Sequence, residues 1–172
     1  MIEDPQDAEG RRPGRLDVVL DLEATMTMWA AERLGQIDAL RLEHLADADM
    51  AGRRFTDVVL RGLRLEVAAA MRITEHAAGN LIALAEAMVH RYPKALRALE
   101  CASISERHAE ILVAGLDEAG AELRAGLFDR ALAMAMAQPV GEFRRSLRAL
   151  VDRAGTAAMR EGITGPRIRR RR

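Results

Sequence analysis

The sequence predicts an all-α protein, a bundle of about seven or eight helices with one long helix at its amino end and one or two helix-turn-helix-like units. Three observations predict it. Apolar residues make up 49% of the chain but aromatics only 3%. The core must therefore be built from Leu, Val, Ile, Met and Ala, which suits closely packed helices better than a sandwich or barrel. Apolar residues also recur in steps of three or four along most of the chain. No stretch of convincing length alternates as a strand would. With 172 residues the chain is long enough for one domain with a real core.

The elements follow in order. Residues 1–15 are polar, with Pro5, Gly10, Pro13 and Gly14, and read as a disordered tail. From Leu16 a helical pattern runs through Val19, Leu22, Met26, Trp29, Ala30, Leu34, Ile37, Leu40 and Leu45 without a proline. A helix of about 30 residues spans roughly 45 Å, more than a small domain needs. It bends at Gly35, or it projects and pairs with a second copy as a coiled coil, or it lies along its own domain. A homodimer through helix 16–45 is one expectation. Asp47 to Arg54 reads as a loop, and Thr56 caps the next helix, with Val58, Val59, Leu63, Val67 and Ala70 inward.

Glu66 to Ala85 reads as two helices joined by a tight turn. Val67, Ala68 and Met71 form the buried side of the first, Ile73 plugs the turn, and Thr74 is a good N-cap for the second. Ala77, Leu81, Ile82 and Leu84 or Ala85 then recur at helical spacing, and that helix is expected to continue to Tyr92. This is helix-turn-helix spacing, whose second helix can lie in a DNA groove. A plain helical hairpin fits the same pattern. Pro93 opens a short helix to Cys101 with Leu96 and Leu99 buried. Ser103 to Gly115 repeats the grammar: the plug Ile104, the cap Ser105, then a helix with Ala109, Leu112, Val113 and Leu116 inside. Ala121–Ala137 is another helix, and Pro139 begins the last, carrying Val140, Phe143, Leu147, Leu150 and Val151. The domain thus covers 16–154, and 155–172 reads as a flexible Arg-rich tail.

Basic and acidic residues balance, 26 against 26, so whole-chain charge identifies no partner. From Pro139 to the end, however, ten Arg face Glu142, Asp152 and Glu161. Cys101 is the sole cysteine, which excludes an internal disulfide and reads as a buried small apolar residue. No apolar run approaches a membrane span, and the acidic start lacks the form of a signal peptide, so a cytoplasmic protein without a membrane partner is expected.

Catalysis finds little footing. His44, His76, His90, His108 and Cys101 lie on separate elements, and no CxxC, HExxH or HxxxH spacing brings ligands together, so no metal or cofactor is expected. Ser103, Ser105 and Ser146 sit in no nucleophile elbow, and no glycine-rich phosphate loop follows a strand. Nucleic-acid binding has more support. The helices opening at Thr74 and Ser105 could approach a groove with His76, Asn80, Arg107 and His108. Arg144, Arg145, Arg148 and Arg153, with Arg169, Arg170, Arg171 and Arg172, could hold phosphates. Glu75 and Gly79 count against base reading by the first of these helices.

The run EVAAAMRITEHAAGNLIALAEAMVHRYPKALRALECASISERHAEIL resembles the core of the 13E12 repeat family, also called domain of unknown function 222. The likeness rests on the Ala-rich helix pair Glu66 to Ala85, on Tyr92-Pro93 through Ala98-Leu99, and on Ile104-Ser105 through His108-Ala109. It covers roughly 16–154. The resemblance implies an all-helical domain often followed by an HNH endonuclease domain in actinobacterial genomes and mobile elements. The Ser103 to Glu110 run is also similar to the helix-turn-helix of ParB-type partition proteins. Two departures stand out. No ββα metal segment follows Ala154, so nuclease activity is not expected of this chain. Ala102 or Ser103 stands where the family often has Gly. The expected function is a non-catalytic DNA-binding or DNA-targeting domain. The alternative is a helical protein-interaction or dimerisation module.

Overall fold

A computed structural model describes residues 14–50 and 56–163, with side chains as far as 157. Among the described residues there are seven α-helices and no strand, and the fold is the all-α bundle with a long first helix. The acidic run before Pro13 and Arg169 to Arg172 lie outside the described residues.

Helix α1 (Arg15–Met50) is continuous for 36 residues, about 54 Å at the usual rise. Asp17 accepts a hydrogen bond from the Gly14 amide at 2.8 Å and closes its first turn. The helix does not break at Gly35, and 47–50, expected as loop, are helical with Ala48 buried. Only the second part of the helix is packed: Ala30, Ala31, Leu34, Ile37, Asp38 and Ala48 are its buried residues. Around that part lie α2 (Thr56–Met71), α3 (Glu75–Glu86), a π turn (Ala87–Arg91) and α4 (Pro93–Glu100). Helices α5 (Glu106–Glu118), α6 (Ala121–Ala137) and α7 (Val140–Ile163) pack on one another as a second group. One continuous apolar core joins the two groups.

The packing is close because small residues stand at the crossings. Ala78, Ala85, Ala95, Ala109 and Ala131 have no exposed surface. Gly115 of α5 meets Leu147 of α7 so closely that an added Cβ would lie 2.8 Å from its Cδ2. Inward-facing Phe143, Leu147 and Leu150 on α7 and Ala109, Leu112, Val113 and Leu116 on α5 are buried as their spacing predicts. Helix α2 holds on by less: Leu63 and Val67 are buried, while Val58, Met71 and Ile73 are exposed. Cys101 is exposed at the end of α4 rather than buried, because the turn after Glu100 carries it off the inner face. Helix α7 continues past Gly155 to Ile163, beyond the boundary drawn at Ala154; glycine and threonine here are tolerated by a helix already nucleated on its buried face.

The two turns of the repeated grammar share one device. After α2, Arg72 takes a left-handed φ of 55°, with its amide on Ala69 O at 3.3 Å and the Ile73 amide on Ala68 O at 3.0 Å. After α4, Ala102 takes φ 52°, with its amide on Leu99 O at 3.0 Å and the Ser103 amide on Ala98 O at 2.8 Å. Both are the Schellman closure that normally favours glycine. The second turn has one residue more before its cap, and that residue decides the plug: Ile104 is buried, while Ile73 is exposed. Ala102→Gly is expected to raise stability by about 0.5–1 kcal/mol, the steric cost of a Cβ at positive φ less the added freedom of the unfolded chain. A urea midpoint that rises with an unchanged m-value checks it.

Candidate interaction surfaces

The residues expected to meet nucleic acid fall into three places. At the start of α3, Thr74 Oγ1 accepts from the Ala77 amide at 3.1 Å, and His76 and Asn80 share a contact of 3.2 Å. Arg64 reaches across from α2 with Nε 4.0 Å from Glu75, its stem lying over the bare Cα of Gly79. At this helix end a guanidinium and a carboxylate thus face each other across a small cleft.

At the start of α5, Ser105 and His108 form a reciprocal capping box. His108 Nδ1 lies 2.8 Å from Ser105 Oγ and accepts from the Ser105 amide at 3.3 Å. Nε2 lies 2.9 Å from Gln138 O, a pure acceptor, so this nitrogen carries the proton. The ring also stacks obliquely on Phe143, centroids 5.6 Å apart. Both ring nitrogens are thus committed to joining α5 to the α6–α7 turn. The first-turn charges are committed too, Arg107 to Glu110 and Glu106 to Arg33 of α1.

On α7 the picture differs. Arg144, Arg145 and Arg148 are exposed and make no ion pair among the described residues. Arg153 Nε donates to Ala149 O at 3.0 Å, which lays it along its own helix. Arg144 and Arg148 meet Asn80 and Arg107 on a groove of about 1020 Å³, bordered by α3 on one side and by α5 and α7 on the other. Its apolar surface comes from Leu81, Leu84, Ile111, Leu147 and Val151, and Glu110, Glu118 and Asp152 also reach it. Arg145 lines neither cleft.

The largest unexpected surface belongs to α1. Among the described residues none of its first fifteen is buried, and Leu22, Met26 and Trp29 stay 58, 65 and 68% exposed. Val19, Leu22, Met26 and Trp29 stand at the alternating three- and four-residue spacing of a coiled-coil seam. Val18 is exposed beside them, and Leu16, Leu20 and Met28 are exposed on other sides of the same helix. Soluble monomers seldom leave an apolar patch of that extent bare.

Two polar clusters, each built on one buried residue, Asp38 or Tyr92, have no signature in the sequence. Asp38, on the packed part of α1, accepts from Arg41 Nε at 2.8 Å, and its other oxygen lies 2.7 Å from His90 Nε2. Tyr92 donates its hydroxyl to Asp117 Oδ1 at 2.7 Å, and Arg91 and Arg124 close on the same carboxylate at 2.9 and 3.2 Å. Burial, then the bond to Asp117 and that carboxylate's charge, push the Tyr92 hydroxyl far above the usual phenol range. Burial alone would raise the Asp117 carboxyl, but the Tyr92 bond and the two guanidinium groups together hold it below the usual carboxylate value. No pattern in one sequence announces the partners that join separate elements, since His90 lies 52 residues from Asp38 and Tyr92 25 from Asp117.

Among the described residues no group of His, Cys, Asp and Glu is placed to hold a metal ion, and no helix is long and apolar enough to cross a membrane. No family model matches the chain, and neither a curated protein nor a solved structure matches it.

The Asp117 cluster has a pH signature. A carboxyl held low in the folded state contributes stability above its unfolded pKa of about 3.9, and loses it as pH falls through the lower folded value. Asp117→Ala should remove about 1–3 kcal/mol at neutral pH by leaving the Tyr92 hydroxyl without its acceptor. It should also shrink the loss of stability below about pH 4. Urea unfolding of both proteins between neutral and acid pH measures the two effects.

Proposed function

We propose that this chain is a non-catalytic helical assembly module whose first helix docks another helix. The observation that supports it is the bare seam Val19, Leu22, Met26 and Trp29 on a helix that is continuous into the core. Such a segment is expensive to expose and already ordered, so binding costs little further conformational entropy. A specific interface takes about 800 Å² from each partner, and Val19, Leu22, Met26 and Trp29 with Val18 beside them would supply its apolar centre. A second copy of the chain is the simplest partner, as a homodimer. Leu22→Asp with Met26→Asp should abolish self-association in sedimentation velocity. Because both sites are on the surface, the double variant should keep wild-type stability within about 0.5 kcal/mol when both are compared at concentrations where wild type is monomeric. Equal sedimentation of both proteins as monomers would remove this reading.

A second reading, DNA binding, has its own observation. Arg144, Arg145 and Arg148 are exposed on one stretch of α7 with no acidic partner among the described residues. The resemblance to the 13E12 repeat family supports the same reading by analogy. The helix starts at Thr74 and Ser105 support it less, because Glu75, Glu106 and Glu110 neutralise the arginines near them. On this reading the chain holds phosphates and reads no base sequence through His108. Mobility-shift titrations should show duplex DNA binding that weakens with salt. Replacing all three arginines by Gln should lower the log–log salt slope by about 3, roughly one for each phosphate no longer neutralised. Absence of any shift by wild type at low salt would exclude it.

A further inference from the structure

We propose, on the helix-docking reading above, that the receptor for the free half of α1 is the groove between α3, α5 and α7 of a second copy of this chain. A chain cannot fill its own groove with this segment. Ala30, Ala31, Leu34 and Ile37 pin the helix to the bundle immediately after Trp29, and the helix runs through that point without a break.

Size, surface and charge agree. Arg15 to Trp29 is about 22 Å of helix, and α5, which lies along the groove, has 13 residues or about 20 Å. Half-buried Leu81, Ile111 and Val151 offer the groove apolar surface for the seam, over a floor of buried Leu84 and Leu147. Exposed Ala114, small among them, leaves room for a helix to come close. The free half carries Asp17, Asp21 and Glu23 against Arg15 alone. Asp21 and Glu23 flank Leu22, each turned about 100° from it, so both stand at the edges of the seam. The groove offers Arg144 and Arg148, which no described carboxylate engages.

The charges also fix a direction. Helices α5 and α7 run the same way past each other: His108 lies against Phe143, and Gly115 further on lies against Leu147. Arg107 and Arg144 therefore mark one end of the groove, and Glu118 and Asp152 the other. The incoming helix runs antiparallel to α5. Its Arg15 lies near Glu118 and Asp152, its carboxylates near Arg148 and Arg144, and Trp29 reaches the Arg107 end. Exchange of the two helices between two copies makes a closed dimer in which each groove is filled.

Trp29 is the sole tryptophan and reports its own burial. The full-length chain, Arg144→Glu/Arg148→Glu, Asp21→Arg/Glu23→Arg, the combined fourfold variant and Leu22→Asp/Met26→Asp are compared by sedimentation velocity and by Trp29 emission against concentration. Circular dichroism checks that each is folded. Wild type is expected to dimerise with a blue shift of emission. Each charge variant alone should weaken dimerisation at least tenfold, and the fourfold variant should recover it to within about threefold of wild type. Failure of that recovery overturns the proposal. So does a wild-type dimer in Arg144→Glu/Arg148→Glu when Leu22→Asp/Met26→Asp is monomeric; this leaves the docking helix standing and assigns its partner to another α1. A wild type that remains monomeric to about 1 mM removes the docking reading itself.

Discussion

Asp38 is the charged residue buried in the described core, and its needs organise the middle of the molecule. A carboxylate out of water is tolerated only with partners on its oxygens. Arg41 supplies one from the next turn of α1, and His90 supplies the other from a distant part of the chain. His90 belongs to the π turn, where one extra residue per turn shifts every later side chain by about 100° relative to a continued α-helix. The Tyr92 amide closes this turn on Ala87 O at 2.8 Å. The same turn that delivers His90 to Asp38 delivers the buried Tyr92 to Asp117, so two carboxylates, one buried on α1 and one at the surface of α5, are served by a single irregularity. Pro93 then fixes the exit and starts α4.

This anchoring explains how α1 can be firmly held and half bare at once. Its packed stretch carries both the apolar contacts to α2, α3 and α4 and the Asp38 cluster. The free stretch needs no tertiary support of its own to remain helical, because it extends a helix that is already nucleated. Helicity there costs little, and what remains uncompensated is apolar surface. Selection against aggregation would ordinarily replace Leu22, Met26 and Trp29 by polar residues if nothing covered them.

Much of this fold could be read from residues alone. The buried face of α5, the caps Thr74 and Ser105, the start of α4 at Pro93 and the inner face of α7 all follow from spacing and side-chain chemistry. Other features could not. Spacing shows that Val19, Leu22, Met26 and Trp29 share a stripe, but a core and an interface write the same stripe. Ile73 and Ile104 look alike as plugs, and only the extra residue in the second turn makes one buried and the other bare. The π turn is a one-residue shift inside an apolar run, below what a period of 3.6 can resolve. His108 is legible as a first-turn residue of its helix. Its commitment to Gln138 O depends on a residue thirty positions away.

The two functional readings draw on overlapping arginines, and electrostatics says how they would interact. Arg144 and Arg148 face the groove, and an acidic helix lying there neutralises them. Arg145 lines no cleft and stays available to a phosphate in either case. A polyanion and the free half of α1 therefore compete for two guanidinium groups and not for the third. Salt acts on them unequally. Phosphate contacts weaken steeply through counterion release. Helix docking loses only its screened charge pairs, while its apolar burial persists and is strengthened by excluded salts such as sulfate. Raising sulfate thus favours the assembled form over the nucleic-acid complex. The sign of that response distinguishes a module whose main work is joining chains from one whose main work is holding a polyanion.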